Sequence, residues 1–123
     1  MLFFENDSSQ LWLGDCNEVM AKGLTCRSVD LVITSPPYNL NIKYNQYKDN
    51  LPREKYLAWI GEVSQNIKNV LKDDGSFFLN VGSSSIDPWI DIDVIREVGK
   101  YFFLQNKITW VKSVRPCEGY TLI

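Results

Sequence analysis

The sequence predicts an α/β domain built on a mainly parallel sheet. Two observations carry that prediction. Apolar runs rich in β-branched and aromatic residues alternate with amphipathic stretches in the order strand–helix–strand–helix–strand–helix–strand. One of these runs, Ser28 to Ser35 (SVDLVITS), is apolar on both sides of its alternation, as expected of a strand covered on both faces. At 123 residues the chain is expected to form a single domain, 1–123, with one core.

The elements follow in order. SSQLWLGDC (Ser8 to Cys16) reads as a short strand closed by Gly-Asp, and NEVMAKGL as a short helix weakened by Gly23. After SVDLVITS, residues 36–50 are polar, tyrosine-rich and irregular, the composition of a binding loop. Asn50-Leu51-Pro52 looks like a helix start. Tyr56, Leu57, Ile60, Val63, Ile67, Val70 and Leu71 then recur at three- and four-residue spacing, an amphipathic helix of roughly five turns. DDG stops it, and SFFLNVG (Ser76 to Gly82) reads as a second buried strand. DPWIDIDVIREVGK gives another helix with Asp87 as its expected N-cap. YFFLQNKITWVKS, from Tyr101 to Ser113, is β-rich and reads as a closing strand.

Composition narrows the class. A formal charge of -2 leaves no broad basic face, so any phosphate-binding surface is local. Three irregularly spaced cysteines (Cys16, Cys26, Cys117) argue against a disulfide framework and suit a reducing cytoplasm. There is no histidine, which removes the commonest general base and metal ligand, and no metal site is expected. No apolar run approaches the ~20 residues a membrane span needs. The expectation is a cytoplasmic protein without a membrane partner.

The stretch DLVITSPPYNL, Asp30 to Leu40, carries chemistry. Ligands of open parallel sheets sit at the carboxyl ends of strands, where SPPY lies. The prolines fix φ and supply no N–H, and each holds its predecessor extended. Ser35 Oγ and the Pro36 carbonyl could then face one point as two acceptors, with the Tyr38 ring beside it. Two acceptors and a stacking ring suit a planar ring bearing an amino group. Accepting both N–H bonds favours a pyramidal nitrogen and frees its lone pair for attack on a methyl sulfonium held in line. A base in a duplex must first flip out, and stacking on Tyr38 would offset part of that cost.

These residues resemble a known family. TSPPY is similar to motif IV, (Asp/Asn/Ser)-Pro-Pro-(Tyr/Phe), of amino-methyltransferases that act on DNA with S-adenosylmethionine. LWLGDCNEVMAKG…SVDLVITSPPYN looks like the opening of the permuted beta group, and YLAWIGEVSQNIKNVLKDDGSFFLNVG and ITWVKS resemble the segments that follow. The resemblance covers about residues 10 to 113. It implies a partial Rossmann-like methyltransferase sheet with flanking helices, with Ser35, Pro36, Pro37 and Tyr38 as the catalytic segment. It also places Asp15 and Cys16 near the cofactor adenosine, with Thr34 and Ser35 completing the expected S-adenosylmethionine contacts. Serine preceded by threonine is more typical of N4-cytosine enzymes, aspartate of N6-adenine enzymes; both remain open, with cytosine favoured. The expected partner of the complete enzyme is double-stranded DNA.

The family's glycine motif, Phe-x-Gly-x-Gly, does not occur: Gly75, Gly82 and Gly99 are isolated. The expectation is therefore an incomplete domain lacking the glycine-motif strand, inactive alone and weak in cofactor affinity. DLVIT would be left as an uncovered apolar edge, so a homodimer or a strand-sharing partner is expected. Two rival readings stand beside this one: modification of protein or RNA by a related motif, and a non-catalytic module that dimerises or associates with DNA. Blander roles also remain open. Asp15 and Cys16 equally suit a strand-end cap and a small buried thiol. Lys43, Tyr44, Tyr47 and Lys48 suit a solvated loop as well as a nucleic-acid contact. Asn80 and Ser83 to Ser85 suit a polar loop better than a pocket wall. Trp59 and Trp110 read as core, Arg96 and Lys100 as a solvated helix face.

Overall fold

The computed structural model describes residues 1–45 and 47–111. The elements are β1 (Leu2–Glu5), β2 (Gln10–Trp12), α1 (Cys16–Gly23), β3 (Val29–Thr34), α2 (Arg53–Val70), β4 (Leu71–Leu79) and α3 (Ile90–Val98). Among the described residues they form two two-stranded sheets, β1–β2 and β3–β4.

Helix α2 organises the domain. Its apolar spacing aligns Tyr56, Ile60, Ile67 and Val70 on one buried face. Tyr56 and Ile60 meet Ile90 and Val94 of α3, and Leu40, Leu51, Leu57, Trp59, Leu79, Val81 and Val98 pack around them. The two helices approach closely at Gly61, where an added Cβ would lie 2.8 Å from Glu97 Oε1. Arg53, in the first turn of α2, reaches across to α3: its Nη1 donates to Asp93 at 2.5 Å and its Nη2 to Asp87 at 2.6 Å.

Strands β3 and β4 are parallel, in register from Leu31↔Ser76 through Thr34↔Leu79. The register breaks before that point, between Val29↔Leu71 and Leu31↔Ser76, so the Lys72–Gly75 stretch bulges out of the ladder. Alternation puts Val32, Thr34, Phe77 and Leu79 on one face; Leu79 packs on the helical core and Phe77 stacks against Phe102 at 5.2 Å. Leu31, Ile33 and Phe78 lie on the other face and are 48%, 71% and 53% exposed.

Several expectations need correction. The chain covers β3 on one face only, whereas its sequence suits a strand covered on both. The Ser8–Cys16 run yields only Gln10–Trp12, which pairs antiparallel with Leu2–Glu5 outside the parallel sheet. The second strand of the parallel pair begins at Leu71 and ends at Leu79, because α2 passes into it without a loop. Asp87 does not cap α3, whose N-cap position is Trp89; the Asp87 carboxylate is taken by Arg53. The run from Tyr101 forms no strand: residues 103–111 have no regular structure, and Lys112 and Ser113 lie outside the described residues. Trp110 is 72% exposed rather than core, while Trp59 does pack on the core. No described helix is long and apolar enough to cross a membrane.

Candidate active site

The parallel ladder sets the site. Thr34 and Leu79 are paired at the strand ends, and the Asn80 N–H donates to the Thr34 carbonyl at 2.9 Å. Ser35 and Asn80 therefore leave the sheet side by side. The Asn80 Nδ2 donates to Ser35 Oγ at 3.3 Å, and Ser35 Oγ shares a hydrogen bond with the Tyr38 hydroxyl at 2.9 Å. Gly82, two residues beyond Asn80, lies against the Tyr38 ring. A Cβ there would sit 3.0 Å from Cε2 and 3.2 Å from Cδ2, so any side chain would push the ring aside.

The two proline carbonyls have different fates. The Tyr56 hydroxyl donates to the Pro37 carbonyl at 2.6 Å. No described residue donates to the Pro36 carbonyl. Tyr56 is 1% exposed, and its pKa is raised by burial first, then by Tyr47, Asp49 and Tyr38. It therefore stays a neutral donor at any ordinary pH.

The loop after the motif is held by two polar side chains. Asn39 and Asn41 adopt left-handed backbone (φ 58° and 62°), a conformation asparagine tolerates better than most residues. The Asn39 carboxamide bonds Leu51 reciprocally, accepting from its N–H at 2.7 Å and donating to its carbonyl at 2.8 Å. The buried Asp49 carboxylate accepts from the N–H groups of Asn39 (2.9 Å), Leu40 (3.0 Å) and Ile42 (3.0 Å). Tyr47 packs between Tyr44 and Trp59, at centroid distances of 6.0 and 6.3 Å, with its hydroxyl buried. Its ring is engaged inside the domain. Lys43, Tyr44 and Lys48 remain exposed, the two lysines joined by an isolated antiparallel bridge.

The residues expected near the cofactor do not gather here. Asp15 is the N-cap of α1, its carboxylate accepting from the N–H groups of Asn17 (2.8 Å) and Glu18 (3.4 Å). Cys16 is the first residue of that helix and is exposed as a residue, not fully buried; partial desolvation of its sulfur and the Asp15 carboxylate raise its pKa. Asp15 borders an open groove of about 670 Å³ with Lys22, Trp59 and Glu62, and Ser35 to Tyr38 do not line it. Thr34 is engaged in the ladder opposite Leu79. Of Asp15, Cys16, Thr34 and Ser35, the groove beside α1 is bordered by Asp15 alone.

Tyr56, Asn39, Asp49 and Gly82 were not marked as site residues by the sequence, and Asn80 was read as a polar loop in preference to a pocket wall. Tyr56 sits at a core position of α2, and its spacing reports the buried ring without the hydroxyl beyond it. Asn39, next to the motif, carried the usable signal: Asn favours turns and tolerates left-handed backbone.

Comparison with known proteins gives the family. A family model described as DNA methylase, of the N6/N4 methyltransferase type, matches residues 29–120. The type II methyltransferase M.MjaVI of Methanocaldococcus jannaschii is 38% identical over 90 residues, covering 68% of this chain and 45% of the relative. M.BglII of Bacillus subtilis is 40% identical over 90 residues (69% and 24%). The DNA adenine methyltransferase YhdJ of Escherichia coli is 27% identical over 107 residues (87% and 34%). The chain spans less than half the length of each of these relatives. The family match extends over most of the chain and includes the strand, the Ser-Pro-Pro-Tyr segment and α2, so the chain belongs to the N6/N4 DNA methylase family.

Proposed function

We propose that this chain carries the base-binding part of a DNA amino-methyltransferase, the segment that receives the exocyclic amine of a flipped nucleobase. The observation that carries this reading is the Ser35-Pro36-Pro37-Tyr38 segment at the carboxyl end of β3, with the Pro36 carbonyl free of any described protein donor. Ser35 Oγ and the Pro36 carbonyl act as the two amine acceptors, Pro37 as the rigid spacer and Tyr38 as the stacking ring. Accepting both N–H groups draws the nitrogen toward pyramidal geometry and localises its lone pair. The base reaches them only outside the helix, as a flipped nucleotide.

S-adenosylmethionine is the family's methyl donor. Of the residues assigned to it, Asp15 alone borders the groove beside α1, and the role proposed for this chain lies with the acceptor base. Cytosine N4 is favoured over adenine N6 by the Thr34-Ser35 pair; M.MjaVI and M.BglII are named only as type II methyltransferases, and YhdJ as an adenine enzyme. The test is tritium-methyl transfer from S-adenosylmethionine to duplex DNA, RNA and protein. It compares the chain alone with the chain mixed with the portion of M.MjaVI that it does not match. Transfer to cytosine N4 of DNA in the mixture only is the expected result. Transfer to RNA or protein alone would refute the DNA assignment.

A further inference from the structure

Within the amine-receptor reading, one question is why the first proline carbonyl and not the second should be the acceptor. Both belong to the same stiff segment, and neither proline has an N–H to complicate the choice. The difference comes from α2. The Tyr56 hydroxyl, carried on a ring that is 1% exposed, takes the Pro37 carbonyl at 2.6 Å. That ring is locked by Ile60, Ile90 and Val94 and lies 6.1 Å from Trp59, so it has no freedom to follow a moving loop. A phenol donating to a carbonyl is unambiguous in direction, and its raised pKa keeps the proton in place.

We infer that Tyr56 is a positioning residue for the base receptor: by holding the Pro37 carbonyl against α2 it fixes the rotation of the proline pair and leaves the Pro36 carbonyl as the acceptor. Successive carbonyls of an extended proline segment point in different directions, with three residues per turn. Anchoring one of them therefore sets the direction of its neighbour. The anchor comes from the helix, remote in sequence by 19 residues, and not from the loop itself. This inference rests on the amine-receptor reading, and its test separates the two.

The test uses the isotopically labelled 123-residue chain. The Pro37 carbonyl carbon is observed through the Tyr38 amide, and deoxycytidine and deoxyadenosine are titrated in, with thymidine as the control lacking an amino group. In Tyr56→Phe the Pro37 carbonyl resonance moves upfield as its donor is lost, while the ring packing stays. Affinity for the amino-bearing nucleoside falls about tenfold, the equivalent of one hydrogen bond. Arg53→Ala, which loosens α2 against α3 without touching the motif, keeps the Pro37 resonance and the nucleoside affinity. If that variant loses the affinity equally, Tyr56 acts through general stability and the inference falls. An unmoved Pro37 resonance in Tyr56→Phe, or a moved resonance with unchanged affinity, overturns the positioning role and leaves the receptor reading standing. Failure of the unsubstituted chain to distinguish deoxycytidine or deoxyadenosine from thymidine overturns both.

Discussion

Replacing Asp49 by alanine should open the loop that follows the Ser-Pro-Pro-Tyr segment. Asp49 is 2% exposed, and its carboxylate accepts three backbone N–H groups, those of Asn39, Leu40 and Ile42. Each is a charge-assisted bond, and leaving one buried donor unpaired costs about 1–3 kcal/mol. The three costs do not add, because the loop can swing into water once its anchor is gone. Opening the loop then also removes the Leu40 and Leu51 side chains from the core. The net loss expected is about 2–4 kcal/mol, a large share of a small domain's stability. Asp49→Asn keeps one acceptor oxygen but turns an N–H₂ toward a backbone donor, so it should fall between the two. Urea unfolding measures the loss, and hydrogen exchange locates it: the amides of Asn39, Leu40 and Ile42 should lose protection before those of α2. A loss under about 0.5 kcal/mol, with these three amides still protected, would show that the backbone alone holds the loop and refute the reasoning.

Gly82→Ala should displace the Tyr38 ring, because the new Cβ would meet Cε2 at 3.0 Å; a crystal structure with Tyr38 unmoved would contradict this. Stability should decline as pH rises above about 10. Burial raises the Tyr56 pKa in the folded state, so the unfolded chain ionises first and is favoured. Tyr56→Phe should flatten that decline in thermal melts between pH 8 and pH 11, although Tyr47, raised in the same direction, retains part of it. Ile33→Lys, on the exposed face of β3, should reduce self-association in light scattering; a stable monomer of the unsubstituted chain at micromolar concentration would sink the expectation that this strand is shared.

What the sequence revealed followed from local pattern. Helix α2 was legible because six of its apolar residues, from Tyr56 to Val70, keep helical spacing, and β3 because Val32, Ile33 and Thr34 lead through Ser35 into a proline pair. The misread segments were those where tertiary partners decide. Asp87 has the identity of an N-cap, yet Arg53 takes it, 34 residues away. The closing run after Tyr101 is β-rich but finds no strand to pair with among the described residues, and β propensity without a ladder specifies nothing. Leu2–Glu5 was passed over because a four-residue strand at the start of a chain carries no periodicity to detect. In the site the division is sharper. The four motif residues announce themselves, while the residues that hold them are ordinary in sequence: a core tyrosine, a loop aspartate, an asparagine and a glycine.

That division has a physical reason. A receptor for an amine needs oxygen atoms left without partners, and folded proteins leave few polar groups unpaired. Around this motif several other acceptors are occupied. Tyr56 takes the Pro37 carbonyl, Asn80 takes the Thr34 carbonyl through its backbone N–H, and Asn39 and Leu51 satisfy each other. Ser35 is already bonded to Tyr38 and Asn80, so an incoming amine must compete for it. The Pro36 carbonyl has no such competitor among the described residues. Tyr56, by taking the Pro37 carbonyl, removes one alternative acceptor from the same stiff segment. The specificity of the proposed site for an amine therefore depends on the residues that silence neighbouring oxygens as well as on the Pro36 oxygen left free.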